Sequence, residues 1–288
     1  MAPDTFNSSP ECNPMNGLFK DLLFLHGYLD ASAVADAVDA ASPVAATSPR
    51  VIELRDYTLH PGQRDTLIDL FEREFIETQE ALGMQVPAHF RDRDDPDRFV
   101  WFRGFAGMAA RGEALPAFYR HGEAWRAHRN AANATMRDSD NVLLLREAWT
   151  GSGFAPMRSR PPVGAAPAPA DCIVVVTYAF AQAVDATLCG FFRDTVLPLA
   201  RELGARPLAT FASEYAANNF PALPVREGEH VVVSVSAFAD AAAHANFAYA
   251  IATDARWQRE VAGFLRPRSS APPQVRRLQP CARSTVRG

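Results

Sequence analysis

Hydrophobic and polar positions alternate along Val51-Ile52-Glu53-Leu54-Arg55-Asp56-Tyr57, the period-two pattern of a strand with two unlike faces. Pro61-Gly62 then turns the chain. Leu67, Phe71, Phe75 and Leu82 mark the apolar stripe of a helix that stops at Gly83. Strands are predicted over Met84 to Phe90 and Arg98 to Phe105, joined by the acidic loop Asp92-Arg93-Asp94-Asp95-Pro96-Asp97. A second helix over Leu115 to Met136 and a closing strand over Asn141 to Trp149 complete the order βαββαβ.

The same order returns further on. Ile173 to Phe180 reads as a strand, and Asp185 is placed to cap a helix bearing Leu188, Phe192, Val196, Leu199 and Leu203, which Gly204 ends. Strands over Pro207 to Tyr215 and His230 to Phe238 follow. Asp240 opens a helix with Phe247, Ile251 and Trp257, and Gln274 to Gln279 is the last strand. The chain thus divides into an N-terminal extension, partly helical or disordered (1–49), a first unit (50–150), a Gly/Pro/Ala-rich linker (151–170) that extends rather than packs, a second, diverged unit (171–282), and a tail (283–288).

In a βαββαβ unit both helices cover one face of an antiparallel sheet and leave the other bare. Two units in one chain can press their bare faces together and close a barrel, which predicts an α+β fold of tandem ferredoxin-like units forming an intrachain dimeric α/β barrel. Assigning Ile52, Leu54, Val100 and Phe102 to the helix side sends Glu53, Arg55, Tyr57, Phe99, Trp101 and Arg103 into the barrel. There Glu53 and Arg103 would be a cross-strand pair. Two readings stand: a salt bridge that fixes register, or a ligand-facing polar cluster. The second unit would contribute a more neutral wall of Val174, Val176, Tyr178, Val232, Ser234 and Ser236.

Composition changes this picture mainly by exclusion. A net charge of −4 provides no field to gather phosphates, so no nucleic-acid partner is expected. The C-terminal arginines read as a solvated strand and tail. Lys20, the only lysine, lies outside both units, which removes Schiff-base chemistry and a P-loop lysine. Cys12, Cys172, Cys189 and Cys281 show no metal-ligand spacing and suit free thiols in a cytoplasmic protein. No apolar run reaches membrane-span length. His121, Trp125 and His128 share one helical stripe but lack a convergent third ligand, and the acidic loop lacks the spaced ligands of a calcium loop. No metal and no cofactor are therefore expected. His89, on the alternation opposite to Phe90, is the candidate general base beside Glu53.

Three motifs carry a resemblance: Glu53-Leu54-Arg55-x-Tyr57-x-Leu59-x-Pro61-Gly62, Phe99-x-Trp101-x-Arg103-Gly104-Phe105, and Asn133-Ala134-Thr135-Met136-x-Asp138-Ser139-Asp140-Asn141-Val142-Leu143-Leu144-Leu145. Over Val51 to Trp149 the chain resembles a NIPSNAP domain; the second unit lacks the Pro-Gly turn and the Met-x-Asp-Ser-Asp-Asn segment. The resemblance implies a dimeric α/β barrel of the ferredoxin-like superfamily. That superfamily includes cofactor-free monooxygenases, lactone isomerases and haem-handling enzymes, while the NIPSNAP branch has no settled activity. The expectation is a small, anionic organic ligand in the barrel, held by Arg55, Tyr57, Trp101 and Arg103, with Glu53 or His89 moving a proton in an oxygenase or isomerase reaction. The rival is a non-catalytic interaction protein whose barrel is filled. Either would be a monomer acting as a pseudo-dimer, or a homodimer of such monomers.

Overall fold

The computed structural model describes residues 49–157, 159–166 and 172–287, so the expected N-terminal extension lies outside the described residues except for its last position. Strand β1 (Val51–Leu59) leads into helix α1, whose segments Arg64–Leu70 and Ile76–Glu80 flank a π-helical turn at Phe71–Phe75. Strands β2 (Gln85–Asp92) and β3 (Arg98–Phe105) follow. The predicted second helix is two: α2 (Met108–Pro116), continued by a π turn at Ala117–His121, and α3 (Glu123–Thr135). They part at Gly122, where any Cβ would lie 2.4 Å from the Phe118 carbonyl oxygen. A short β4 (Met136–Asp138) and β5 (Val142–Glu147) close the half.

The second half runs β6 (Cys172–Ala179), α4 (Ala186–Phe191, a π turn at Phe192–Val196, then Leu197–Glu202), β7 (Arg206–Ser213), β8 (Val231–Phe238), α5 (Ala241–Thr253), α6 (a π turn at Trp257–Ala262, then Gly263–Leu265) and β9 (Gln274–Pro280). Both expected caps form: Asp185 accepts from Leu188 N and Asp240 from Ala243 N, each at 2.8 Å. Within the halves the strand orders match, β2-β3-β1-β5 and β7-β8-β6-β9. Each also has its register shift at the same place, between Gln85 and Ala88 in β2 and between Pro207 and Ala209 in β7. Antiparallel seams β2–β9 (Phe90 opposite Pro280) and β5–β7 (Leu145 opposite Ser213) join the halves into a closed eight-stranded barrel.

The barrel interior is apolar. Ile52, Leu54, Val100, Phe102, Val175 and Val233, with neighbours from both halves, fill it. The expected direction of β1 and β3 is therefore reversed: Ile52, Leu54, Val100 and Phe102 point inward, while Tyr57, Phe99 and Trp101 pack under the helices with Phe71, Phe75 and Phe118. Strict alternation separates two faces without naming them, and here both faces are buried, so hydrophobicity could not choose between them. The neutral wall is reversed in the same way, with Val174 and Val232 packed against Phe192 and Val196 of α4.

Two further expectations change. The linker does not simply extend, since Phe154 is buried between Phe102 (5.1 Å) and Phe211 (5.2 Å) as part of the barrel filling. The C-terminal arginines are not simply solvated. Arg276 donates to Asp56 at 3.0 Å, Arg277 pairs with Asp94 of the acidic loop, and buried Arg283 pairs with Glu77. The residues after β9 fold back on the first half, where Thr285 N donates to the Pro87 carbonyl at 3.1 Å. Among the described residues no helix is long and apolar enough to cross a membrane.

Candidate functional site

Glu53 and Arg103 face each other across β1 and β3, as expected, but beneath the helices of the first half. The Glu53 carboxylate, fully buried, is a hub for three guanidinium groups. Its Oε2 accepts from Arg55 Nη1 (2.8 Å) and from Arg103 Nε (2.9 Å) and Nη2 (2.6 Å), and its Oε1 accepts from Arg111 Nε at 2.8 Å. Burial alone would raise its pKa, but Arg103, Arg55 and Arg111 together outweigh that and hold the carboxyl far below the usual carboxylate range. Glu53 is thus a fixed anion, and the proton-carrying role expected of it does not fit this geometry.

The remaining donors are spread over polar and aromatic partners. Arg55 Nε donates to Tyr57 Oη (2.7 Å), and Arg103 Nη1 donates to Gln79 Oε1 (3.1 Å) and Tyr119 Oη (3.0 Å). Arg103 also sits 5.2 Å from the Trp101 ring centroid and 5.5 Å from that of Phe105, distances at which a cation is attracted to an aromatic face. Arg111 Nη1 reaches Asn218 Oδ1 (3.0 Å) and Asn219 Oδ1 (2.7 Å) in the long loop of the second half. Expected residues Glu53, Arg55, Tyr57, Trp101 and Arg103 are thus brought together, but sealed rather than lining the barrel. Two partners the sequence did not single out, Arg111 and Tyr119, come from α2 and the π turn after it.

His89 also faces the helices, not the barrel. It is fully buried, with its ring against Phe71 (5.6 Å) and its Nε2 2.7 Å from Glu72 Oε1. A carboxylate oxygen at that distance places the proton on Nε2, and Nδ1 meets no protein group. Burial lowers the imidazole pKa and outweighs the opposing pull of Glu72, so His89 is held neutral. Cys281, just after β9, donates its backbone N–H to the His89 carbonyl at 3.0 Å, and burial pushes its thiol well above the usual range. Donor atoms of Glu72, His89 and Cys281, one from each, lie within 4.8 Å of one another.

Glu72 and Cys281 also line a cleft of about 330 Å³ between α1, the β2–β9 seam and linker residues 163–165, with Arg73 and Arg91 on its wall. Neither acid nor thiol was visible as a site residue in the sequence. Glu72 sits on what reads as the charged face of a helix, and the π turn Phe71–Phe75 brings it inward beside Phe71; Cys281 lies 192 positions beyond His89, and only the β2–β9 pairing unites them.

The register aligns the halves residue by residue. Glu53 opposite Arg103 corresponds to Val174 opposite Ser236, and His89 corresponds to Thr210, the residue after the shift-flanking alanine in each case. The second half therefore lacks both clusters, in keeping with its expected neutrality.

No known family profile matches the chain, and no curated protein does. Solved structures do match. An anthrone oxidase-like protein is 17% identical with a TM-score of 0.55, over 82% of this chain and 93% of that one. A candidate monooxygenase from Lactobacillus acidophilus NCFM is 10% identical with a TM-score of 0.51, over 82% of this chain and 97% of that one. A second candidate monooxygenase, from Fusobacterium nucleatum subsp. nucleatum, is 8% identical with a TM-score of 0.51, over 84% and 96%. At such identities the likeness is one of fold, the dimeric α/β barrel.

Proposed function

We propose that this protein binds a small organic anion on the helix side of its first half, in the cleft between α1 and the β2–β9 seam, rather than in the barrel interior. The observation that carries the reading is a cleft large enough for a small ligand whose wall includes Glu72, the carboxylate that holds the fully buried His89 behind it. Arg73 and Arg91 line the cleft and would meet a carboxylate by exchanging their present, partly exposed partners Glu74 and Asp65; Asp69 also lines it, and Ile68, Val163 and Pro280 are placed to meet an apolar body. In this reading Arg55, Tyr57, Trp101 and Arg103 do not touch the ligand; with Glu53 they fix the sheet and helices that shape the cleft. We also read the halves as diverged copies of one ferredoxin-like unit, supported by their common strand order and common register shift, and the first as of NIPSNAP type on its sequence motifs alone.

A thermal-shift series with small aliphatic and aromatic carboxylates, on chelator-treated protein, tests the binding reading. Ligand binding to the native state stabilises it by RT ln(1 + [L]/Kd), so an effect growing with concentration is expected in the wild type and a reduced one in Arg73→Ala/Arg91→Ala. Both arginines are at least partly exposed, so the double variant should fold. No shift with any carboxylate, or an equal shift in the variant, overturns the proposal. The rival reading, a non-catalytic interaction protein, is favoured by the filled barrel and predicts no shift at all.

A further inference from the structure

We propose that Glu72, His89 and Cys281 form a site for a thiophilic divalent cation of zinc's class, with a coordination position open to the cleft. The inference deepens the reading above and rests on it for the role of that open position, where a bound anion's oxygen would lie. The three residues come from three separate elements, the π turn of α1, strand β2 and the segment after β9, and converge to within 4.8 Å while buried. Nitrogen, sulfur and a single carboxylate make a donor set that suits zinc and fits magnesium or calcium poorly.

The imidazole is half-satisfied, with Nε2 on Glu72 and Nδ1 without a protein partner. Coordination through Nδ1 would keep the Nε2–Glu72 contact as the carboxylate support that histidine ligands use, with His89 and Cys281 as the direct ligands and Glu72 behind them. Coordination through Nε2 would put the cation where the shared proton now sits, with that proton carried on Nδ1 so that the imidazole stays neutral. In either case Cys281 is the sulfur ligand. On loading, the Sγ–H bond gives its proton to solvent through the cleft, the sulfur lone pair goes to the metal, and no electrons are transferred.

Charge does not oppose this. A divalent cation with one thiolate and one carboxylate is neutral. The surrounding guanidinium groups are already matched: Arg73 with Glu74, Arg91 with Asp65, Arg160 with Glu80 and Arg283 with Glu77. The sequence could not show such a site, because its ligands have no common spacing.

The test is titration of reduced, chelator-treated full-length protein with Co²⁺, read by absorption, and with Zn²⁺ by competition. One Co²⁺ per chain with an intense sulfur-to-cobalt charge-transfer band is expected. The band should vanish in Cys281→Ser, and affinity should fall at least about tenfold in Glu72→Gln, since even an outer carboxylate partner is worth about 10–100-fold. Should Cys281→Ser fail to fold, zinc-edge X-ray absorption on the loaded wild type decides instead, with one sulfur at about 2.3 Å expected. No uptake, uptake without the sulfur signature, or an undiminished band in a folded Cys281→Ser overturns the proposal. Carboxylate binding to metal-free protein with no metal uptake would fail this inference alone, and metal uptake with no carboxylate shift would fail the ligand reading alone.

Discussion

Replacing Glu53 by Gln keeps the shape of the hub and removes its charge, leaving Arg55, Arg103 and Arg111 as three buried cations with no counter-ion among them. Glu53, Arg103 and Arg111 are 0% exposed and Arg55 is 1% exposed, so water cannot compensate. Removing one partner of a buried ion pair costs on the order of 3–5 kcal/mol, because the partner's charge stays behind. Here one substitution strands three. We therefore expect Glu53→Gln to lose at least about 3 kcal/mol in urea unfolding, with the midpoint shifted and the slope unchanged. In a chain of this size that corresponds to a fall in melting temperature of roughly 6 °C or more. Replacing the whole cluster, as Glu53→Met/Arg55→Met/Arg103→Met/Arg111→Met, should cost less than Glu53→Gln alone, since apolar residues of similar volume need no counter-charge. A loss below about 1 kcal/mol in Glu53→Gln would refute the reasoning, because it would mean that the arginines find solvent or another anion.

Acid should expose the same carboxylate. Its folded-state pKa is depressed, so its contribution is complete above the unfolded value of about 4.3 and is lost as pH falls through that value toward the folded one. The stability gap between wild type and Glu53→Gln, measured from pH 7 down to pH 2.5, should therefore narrow below about pH 4.3; a constant gap would contradict the assignment. Phe154→Ala should cost about 3–5 kcal/mol and open a cavity inside the barrel, detectable by stabilisation with benzene or by xenon in a crystal. Arg276→Ala should cost about 1–3 kcal/mol, since that side chain is 23% exposed but its partners Asp56 and Asp92 are 11% and 1% exposed, and of these Asp56 keeps a second arginine, Arg98.

The element order was legible because the periods were clean. Alternation over Val51–Tyr57 and helical spacing at Leu67, Phe71 and Phe75 each match one secondary structure, and Asp185 and Asp240 are the caps they looked to be. Direction was not legible, since a barrel buries both faces of every strand. Ile52 and Val100 fit the lumen as well as they would have fitted the helices. The cross-strand pairing of Glu53 with Arg103 followed from fold topology and held. What lay beyond sequence was convergence across distance: Arg111 on Glu53, Arg283 on Glu77, and Cys281 on His89. The π turns were hidden too, because a single extra residue in a helical turn leaves the stripe intact on either side of it.

The halves are asymmetric on their helix sides, and the cleft proposed above lies on the side that carries the charged clusters. The barrel interior is apolar on both sides, as two units must be to close on each other. On the helix side Glu53, Arg55 and Arg103 of the first half correspond to Val174, Val176 and Ser236 of the second, while on the barrel side Asp56 corresponds to Thr177 and Leu143 to Arg276. A homodimer of one unit would carry the same cluster at both ends. On the proposal that the halves are copies of one unit, joining them in one chain lets one end keep polar residues that destabilise a core unless fully paired, while the other end supplies stability through aliphatic packing. The second half then serves the first directly. Its long loop gives Asn218 and Asn219 to Arg111, and the segment after its last strand delivers Cys281 and Arg283 to Glu72 and Glu77. These contacts fasten the second half onto the helix side of the first, so the cleft proposed above would draw its walls and its support from both halves.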